Sequence, residues 1–284
     1  MTNLIEVNGI WKKYQQFSLE DVHLTVPSGC IFGLIGENGA GKTTLLKAIL
    51  DIVHPDSGSI MLMGKYSTDP ASKEKVAGIF SDSFFHGYLT PSQIGKIMSD
   101  LYLGWDSELY KKYCEAFGLS REQKIKEFSR GMRVKLNFSV ALARQPKLLI
   151  LDEATSGLDP VIRSEILDIL LEFIQKEDHS VLMSTHITSD LEKTADYIAY
   201  IHQGKILFQK EKDQLLEHMA VVKCKKEEID QVPQEWILGR EENAFHLSFL
   251  SEHPDQIKKY IPDAVVDKAS IEDIMKFFAR RDKR

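Results

Sequence analysis

Cysteine is scarce in this chain: three stand among 284 residues, Cys30, Cys114 and Cys224, far apart and odd in number. That pattern excludes a disulfide framework and a cysteine-based zinc site, and it suits a reducing compartment. Cys30, beside an apolar run, is expected to pack as a small hydrophobe. No apolar run approaches the roughly 20 residues that a membrane-spanning helix needs. The opening Met-Thr-Asn-Leu-Ile-Glu lacks the basic and apolar regions of a secretory signal. Any membrane role is therefore expected to come through a partner. A basic excess is missing too. The formal charge is -6 at pH 7, which argues against a general nucleic-acid binder, because phosphate neutralisation needs clustered Lys and Arg. Internal repeats and low-complexity segments are also lacking. What remains is ordinary globular composition, 43% hydrophobic and 27% charged, long enough for one large domain and a small appendage.

Against that plain background one stretch stands out. Gly36-Glu37-Asn38-Gly39-Ala40-Gly41-Lys42-Thr43, continued by Thr44, fits the pattern G-x-x-x-x-G-K-[ST] and follows the apolar run Cys30-Ile31-Phe32-Gly33-Leu34-Ile35, which reads as a buried strand. Glycines let consecutive backbone N–H groups turn inward around phosphate oxygens, and a helix starting near Lys42 adds its positive dipole end. The stretch predicts a nucleoside triphosphate ligand. Lys42 is expected to reach the β and γ phosphates, and the Thr43 hydroxyl to sit on Mg²⁺.

Further along, Phe128-Ser129-Arg130-Gly131-Met132 adjoins a helical stretch, and Leu148-Leu149-Ile150-Leu151-Asp152-Glu153 is an apolar run ending in two acids. Ser156-Gly157-Leu158-Asp159 follows, then Ser184-Thr185-His186 after another helix and strand. This order resembles the nucleotide-binding subunit of ATP-binding-cassette (ABC) transporters, matching Walker A, signature, Walker B, D-loop and switch histidine. The resemblance spans roughly residues 1 to 215 and is most specific from Leu149 through Pro160.

The resemblance implies roles. Asp152 would hold Mg²⁺ as the Walker B acid. Glu153 would orient and deprotonate the attacking water, and His186 would contact the γ phosphate. Tyr14 matches the aromatic that stacks on adenine, Ser129 and Gly131 match residues that meet a nucleotide held by the opposite subunit, and Asp159 of the D-loop match is a further nucleotide-binding candidate. Two departures stand out. Arg130 and Met132 occupy positions that are most often glycine and glutamine, a variant resembling a bacterial branch of single-domain exporter ATPases. Asp82 aligns with the usual glutamine, where its added charge would weaken a phosphate contact unless the metal offsets it.

The implied fold is α/β: a P-loop core with a mostly parallel sheet and helices on both faces, an antiparallel β subdomain, a helical signature subdomain at about 83–145, and a small α+β appendage at 216–284. Alternation in Leu4–Val7 and Val22–Val26 predicts the antiparallel pair. The P-loop helix is expected to continue from Thr44 to Ile52, with His54-Pro55-Asp56-Ser57-Gly58 ending it. In the appendage, Ala220–Cys224, Trp236–Leu238 and Phe245–Phe249 read as strands, and 255–261 and 270–280 as helices. The terminal Arg280-Arg281-Asp282-Lys283-Arg284 reads as a solvated helix end.

The expected activity is ATP hydrolysis by a cytoplasmic subunit at the inner face of the membrane. It would dimerise around two ATP, as a homodimer or with a related ATPase, and drive a separate permease, with export the expected direction and no nucleic-acid partner. The aromatic segment Ser83-Phe84-Phe85-His86-Gly87-Tyr88-Leu89 marks the expected permease contact. A soluble ATPase of the same family acting on ribosomes or nucleic acid is the alternative. Such proteins carry two cassettes or a long coiled-coil insertion, neither of which is here. A binding-only regulator would have lost Lys42, Asp152 or Glu153, and all three are present.

Overall fold

The computed structural model describes residues 2–80, 85–242 and 246–280. Asp82, Ser83, Phe84, Phe245 and the run Arg281–Arg284 lie outside the described residues.

Strands β1 (Asn3–Lys13) and β2 (Ser18–Pro27) pair antiparallel, with Ile5, Val7, Val22, Leu24 and Val26 turned to one side and buried. With β4 (Ser57–Leu62) and β5 (Lys65–Tyr66) they form an antiparallel sheet of order β2-β1-β4-β5. The larger sheet contains β3 (Ile31–Ile35), β6 (Val76–Phe80), β7 (Leu148–Asp152), β8 (Ser180–Ser184), β9 (Tyr197–His202) and β10 (Lys205–Glu211) in the order β10-β9-β3-β8-β7-β6. All its neighbours are parallel except β9 and β10.

Every residue of β3, β7 and β8 is buried, as expected for parallel strands covered on both faces. Alternate side chains feed two cores. Phe32, Leu34, Leu148, Ile150 and Leu182 meet the antiparallel sheet and helix α1 (Lys42–Ile49). On the other face Ile31, Ile35, Leu149, Leu151, Val181 and Met183 meet α5 (Arg130–Ala143), α6 (Pro160–Phe173) and α7 (Thr188–Thr194). A short α2 (Pro70–Glu74) leads into β6. The expectation of helices on both faces is therefore met in mixed form, with one face shared between a helix and a second sheet.

Helices α3 (Pro91–Leu101), α4 (Ser107–Ala116) and α5 enclose a separate small core of Ile94, Tyr110, Cys114, Phe128 and Leu136. Thr90, Asp106 and Ser129 cap these helices by accepting N–H bonds from their first turns. Helix α8 (Lys212–His218) then leads to an antiparallel sheet of order β12-β13-β11-β14, made of β11 (Ala220–Cys224), β12 (Gly239–Glu242), β13 (Leu247–Ser251) and β14 (Val265–Lys268). Helices α9 (Pro254–Tyr260) and α10 (Ile271–Phe278) complete this region.

Some boundaries differ from the sequence reading. Helix α1 stops at Ile49, not Ile52, because Leu50 caps it and Asp51 turns left-handed at φ 56. Gln234–Trp236 is a 3-10 turn after Pro233, and the strand expected there starts at Gly239. The β14 edge strand was not anticipated; its run of two valines is too short to carry an alternation signal.

Candidate functional site

Strands β3, β8 and β7 are parallel neighbours, with Leu34 opposite Ser184 and Ser184 opposite Asp152. Their carboxyl ends therefore present three loops side by side: the glycine-rich loop, His186 and Glu153. This is where ligands collect in open parallel sheets. A cavity of about 540 Å³ opens there, lined by Phe17, Asn38, Gly39, Gly41, Lys42, Thr43, Thr44, Arg130, Glu153, Ser156 and His186.

The loop has the geometry of a phosphate cradle. Gly39 and Gly41 hold φ of 81 and 111, and Gly41 caps α1 so that the helix N-terminus faces the cavity. A Cβ on Gly41 would meet the Phe17 ring at 2.7 Å, a second reason for glycine there. Ala40 is buried beneath the loop and its carbonyl accepts the Gly204 N–H. Lys42 is 6% exposed. Its Nζ donates to the carbonyls of Gly36 at 2.7 Å and Glu37 at 3.1 Å, and lies 3.9 Å from Glu153 Oε1. Burial pushes the Lys42 ammonium below its ordinary pKa, while Glu153 and then Asp152 hold the proton on.

Asp152 ends β7 buried, and both its oxygens are engaged. The Thr43 hydroxyl donates to Oδ2 at 2.7 Å and the Ser184 hydroxyl to Oδ1 at 2.6 Å. A carboxylate beside a hydroxyl, next to a phosphate cradle, is the oxygen donor set Mg²⁺ takes when phosphates and waters complete its shell. Among the described residues no cluster of three or more His, Cys, Asp or Glu could hold a metal by itself.

Glu153 sits in the left-handed region at φ 53, a conformation costing about 1–3 kcal/mol at a residue with a Cβ. The turn is held by the Glu153 N–H, which donates to the Ser184 carbonyl at 3.1 Å and hydroxyl at 3.2 Å. It aims the carboxylate at the cavity, where Oε2 stands 2.5 Å from His186 Nδ1. Behind it, the buried Thr155 hydroxyl donates to Asp190 Oδ2 at 3.0 Å. Burial raises the Asp190 pKa, and the Thr155 bond opposes that shift.

The other expected residues stand as follows. Tyr14 is 44% exposed with its ring centroid 6.4 Å from Phe17, and Phe17, not Tyr14, forms the cavity wall. Glu37 reaches toward His202 Nδ1 at 3.5 Å. Ser129 caps α5, accepting the Met132 N–H at 3.2 Å, and Asp159 caps α6, accepting from Val161 and Ile162 at 3.1 Å each. Gly131 lets α5 approach α6: a Cβ there would lie 2.4 Å from Ile162 Cδ1. Asp82 lies outside the described residues. Phe17, Arg130 and Ser156 line the cavity beyond the predicted set. The proximity of Phe17 to Gly41 is tertiary, so nothing local in the sequence signals it.

The family profile described as ABC transporter matches residues 19–156. The lantibiotic transport ATP-binding protein SrtF of Streptococcus pyogenes is 33% identical over 213 residues, covering 74% of this chain and 92% of the relative. The bacitracin transport ATP-binding protein BcrA of Enterococcus faecalis is 32% identical, covering 73% of this chain and 69% of the relative. A solved ATP binding subunit of an ABC transporter superposes with a TM-score of 0.69 at 28% identity, covering 75% of this chain and 92% of that one. A dimeric ATP-binding cassette bound to ADP and Pi shares the fold, with a TM-score of 0.65 at 18% identity over 73% of this chain and 98% of its own.

Proposed function

The chain belongs to the ATP-binding, ATP-hydrolysing subunits of ABC transporters, and on that premise we propose how its residues divide the work. Lys42 and the backbone N–H groups of Gly36 to Thr43 hold the β and γ phosphates, with Thr44 at the α1 N-terminus beside them. Thr43 and Asp152 are the residues that would hold Mg²⁺, which when bound neutralises charge on the phosphates. Phe17 offers the flat face for adenine, with Tyr14 behind it. Glu153 takes a proton from the attacking water as the γ phosphate departs, and His186 steadies both that carboxylate and the phosphate.

The observation that carries this reading is the convergence of Lys42, Thr43, Glu153 and His186 on one cavity from three loops of the parallel sheet. Strain at Glu153 supports it, since a costly backbone conformation persists where position matters to chemistry.

Ser129 opens α5 on an exposed turn, available to a nucleotide held by a second subunit, while Gly131 is buried against Ile162 and can offer only its backbone; a homodimer and a pairing with a related ATPase both fit. The permease contact is assigned to a groove of about 200 Å³ between core and helical subdomain, lined by Ile79, Phe80, Phe85, Met98, Tyr102 and Arg144, among others. An aromatic-lined groove with a cationic rim suits a short helix of a membrane partner. Among the described residues no helix is long and apolar enough to cross a membrane, so the subunit would work at the cytoplasmic face through that partner. The transport roles named for SrtF and BcrA support cargo movement, with export the proposed direction.

The test is co-purification of the full-length chain with membrane permease and with ribosomes, alongside phosphate release. Capture of the permease with ATP turnover is expected. Capture of ribosomes alone would move the function to the soluble branch.

A further inference from the structure

The region beyond α8 is tied to the nucleotide cavity by a route that starts at helix α7. That helix begins two residues after His186 and is gripped from two sides. Toward the catalytic loop, Asp190 receives the Thr155 hydroxyl at 3.0 Å, and Thr155 stands two residues after Glu153. The other grip comes from the C-terminal region. Glu192 Oε1 accepts the Ile271 N–H, the first of α10, at 3.1 Å, and Leu191 is fully buried in the same core as Ile271 and Ile274.

Helix α10 is itself firmly anchored. Ser270 and Asp273 form a reciprocal cap at its start, and Lys276 and Arg280 both pair with Glu241 on β12. Phe278 packs on Tyr200 and Phe208 of the main sheet, with ring centroids at 5.6 and 5.2 Å. Between α10 and the turn at His186 lies a groove lined by His186, Ile187, Thr188, Ser189, Glu272 and Met275, among others. One route from the C-terminal region toward His186 runs through α7, which joins α10 by a hydrogen bond and by shared apolar packing. Glu192 is its polar link, a carboxylate placed at a helix N-terminus, where the dipole favours negative charge.

We propose that Glu192 is a positioning residue for hydrolysis: by receiving the first N–H of α10 it couples the C-terminal region to α7 and fixes His186 against Glu153. This deepens the assignment of Glu153 and His186 made above and rests on it. Glu192 touches neither substrate nor the reacting atoms. Its effect is therefore on the geometry of the pair and not on nucleotide affinity.

The experiment uses the full-length chain. Glu192→Ala is expected to lower kcat about fivefold, the equivalent of one net hydrogen bond, with KM and affinity for a fluorescent ATP analogue essentially unchanged. Glu192→Gln keeps a carbonyl acceptor for the Ile271 N–H and is expected to retain the parental kcat. In a His186→Ala background, Glu192→Ala should have no further effect, because the group it positions is gone. Ile274→Val, which trims the apolar side of the same contact, should show the same dependence on His186. A fall in kcat of equal size with and without His186, or an unchanged kcat in Glu192→Ala, overturns the proposal. Hydrogen exchange of residues 185–194 reads the coupling without turnover, and so separates this proposal from the ATPase reading on which it rests. Faster exchange in Glu192→Ala, with the glycine-rich loop unchanged, supports it; unchanged exchange in 185–194 overturns it.

Discussion

The Thr43 hydroxyl donates to Asp152 Oδ2 at 2.7 Å, joining two motifs 109 residues apart in sequence. The bond brings the first turn of α1 onto the end of β7 and sets side by side the two oxygen donors that would hold Mg²⁺. Asp152→Asn is expected to raise the Mg²⁺ concentration needed for half-maximal hydrolysis at least about tenfold, because the amide cannot supply the charge that holds the metal. Chelation with EDTA should stop turnover in the parent chain. Metal titration of phosphate release checks both, and turnover that persists in EDTA would remove Mg²⁺ from the assignment.

Glu153→Gln is expected to keep ATP binding while hydrolysis falls by at least about 10², the scale of a lost general base. Gln can keep the contact with His186 but cannot take the proton. Steady-state phosphate release is compared with equilibrium nucleotide binding. Parental turnover in the variant would show that another group accepts the proton.

For Lys42→Ala the expected loss is of binding itself. Lys42 is buried in the cradle, where burial works against its charge and Glu153 and Asp152 support it, and an anion can take the place of the carbonyls of Gly36 and Glu37. Affinity measured with a fluorescent ATP analogue should fall by at least about tenfold. Native affinity would mean that the loop holds phosphate through its backbone alone.

Gly239→Ala addresses how the C-terminal region is joined on. A Cβ at this start of β12 would lie 2.2 Å from the Phe277 carbonyl oxygen, a backbone atom that cannot rotate away. Moving α10 back costs about 1–3 kcal/mol by analogy with overpacked cores. A lowered thermal midpoint is expected, with α10 the first segment to lose protection in hydrogen exchange. An unchanged midpoint would mean that α10 can shift without cost.

Phe85→Ala tests the permease groove. Phe85 is half-buried against the helical subdomain and lines the groove at the same time. If the ring is an interface anchor, association with the permease weakens by about 1–3 kcal/mol while the isolated chain keeps its ATPase activity. Intact association together with a destabilised isolated chain would place the ring in the core alone.

The sequence by itself determined the local chemistry. A phosphate cradle needs glycine at fixed places, a lysine after it and a helix start, all within one short run, so Gly36 to Thr44 was legible without a fold. The buried strands ending at Asp152 and Ser184 were legible for the same reason: uninterrupted apolar runs have no reading as solvent-facing structure. Tertiary structure decided what meets what. It put Phe17, not Tyr14, on the cavity wall and brought Arg130 into the cavity. It also placed α10 against α7, so that a region with no sequence motif became a neighbour of the helix that follows His186. Those relations depend on strand order and on the packing of side chains far apart in the chain. Periodicity and motif spacing report only on neighbours along the chain, and the β3-β8-β7 order that assembles the site arises when the sheet closes around its two cores.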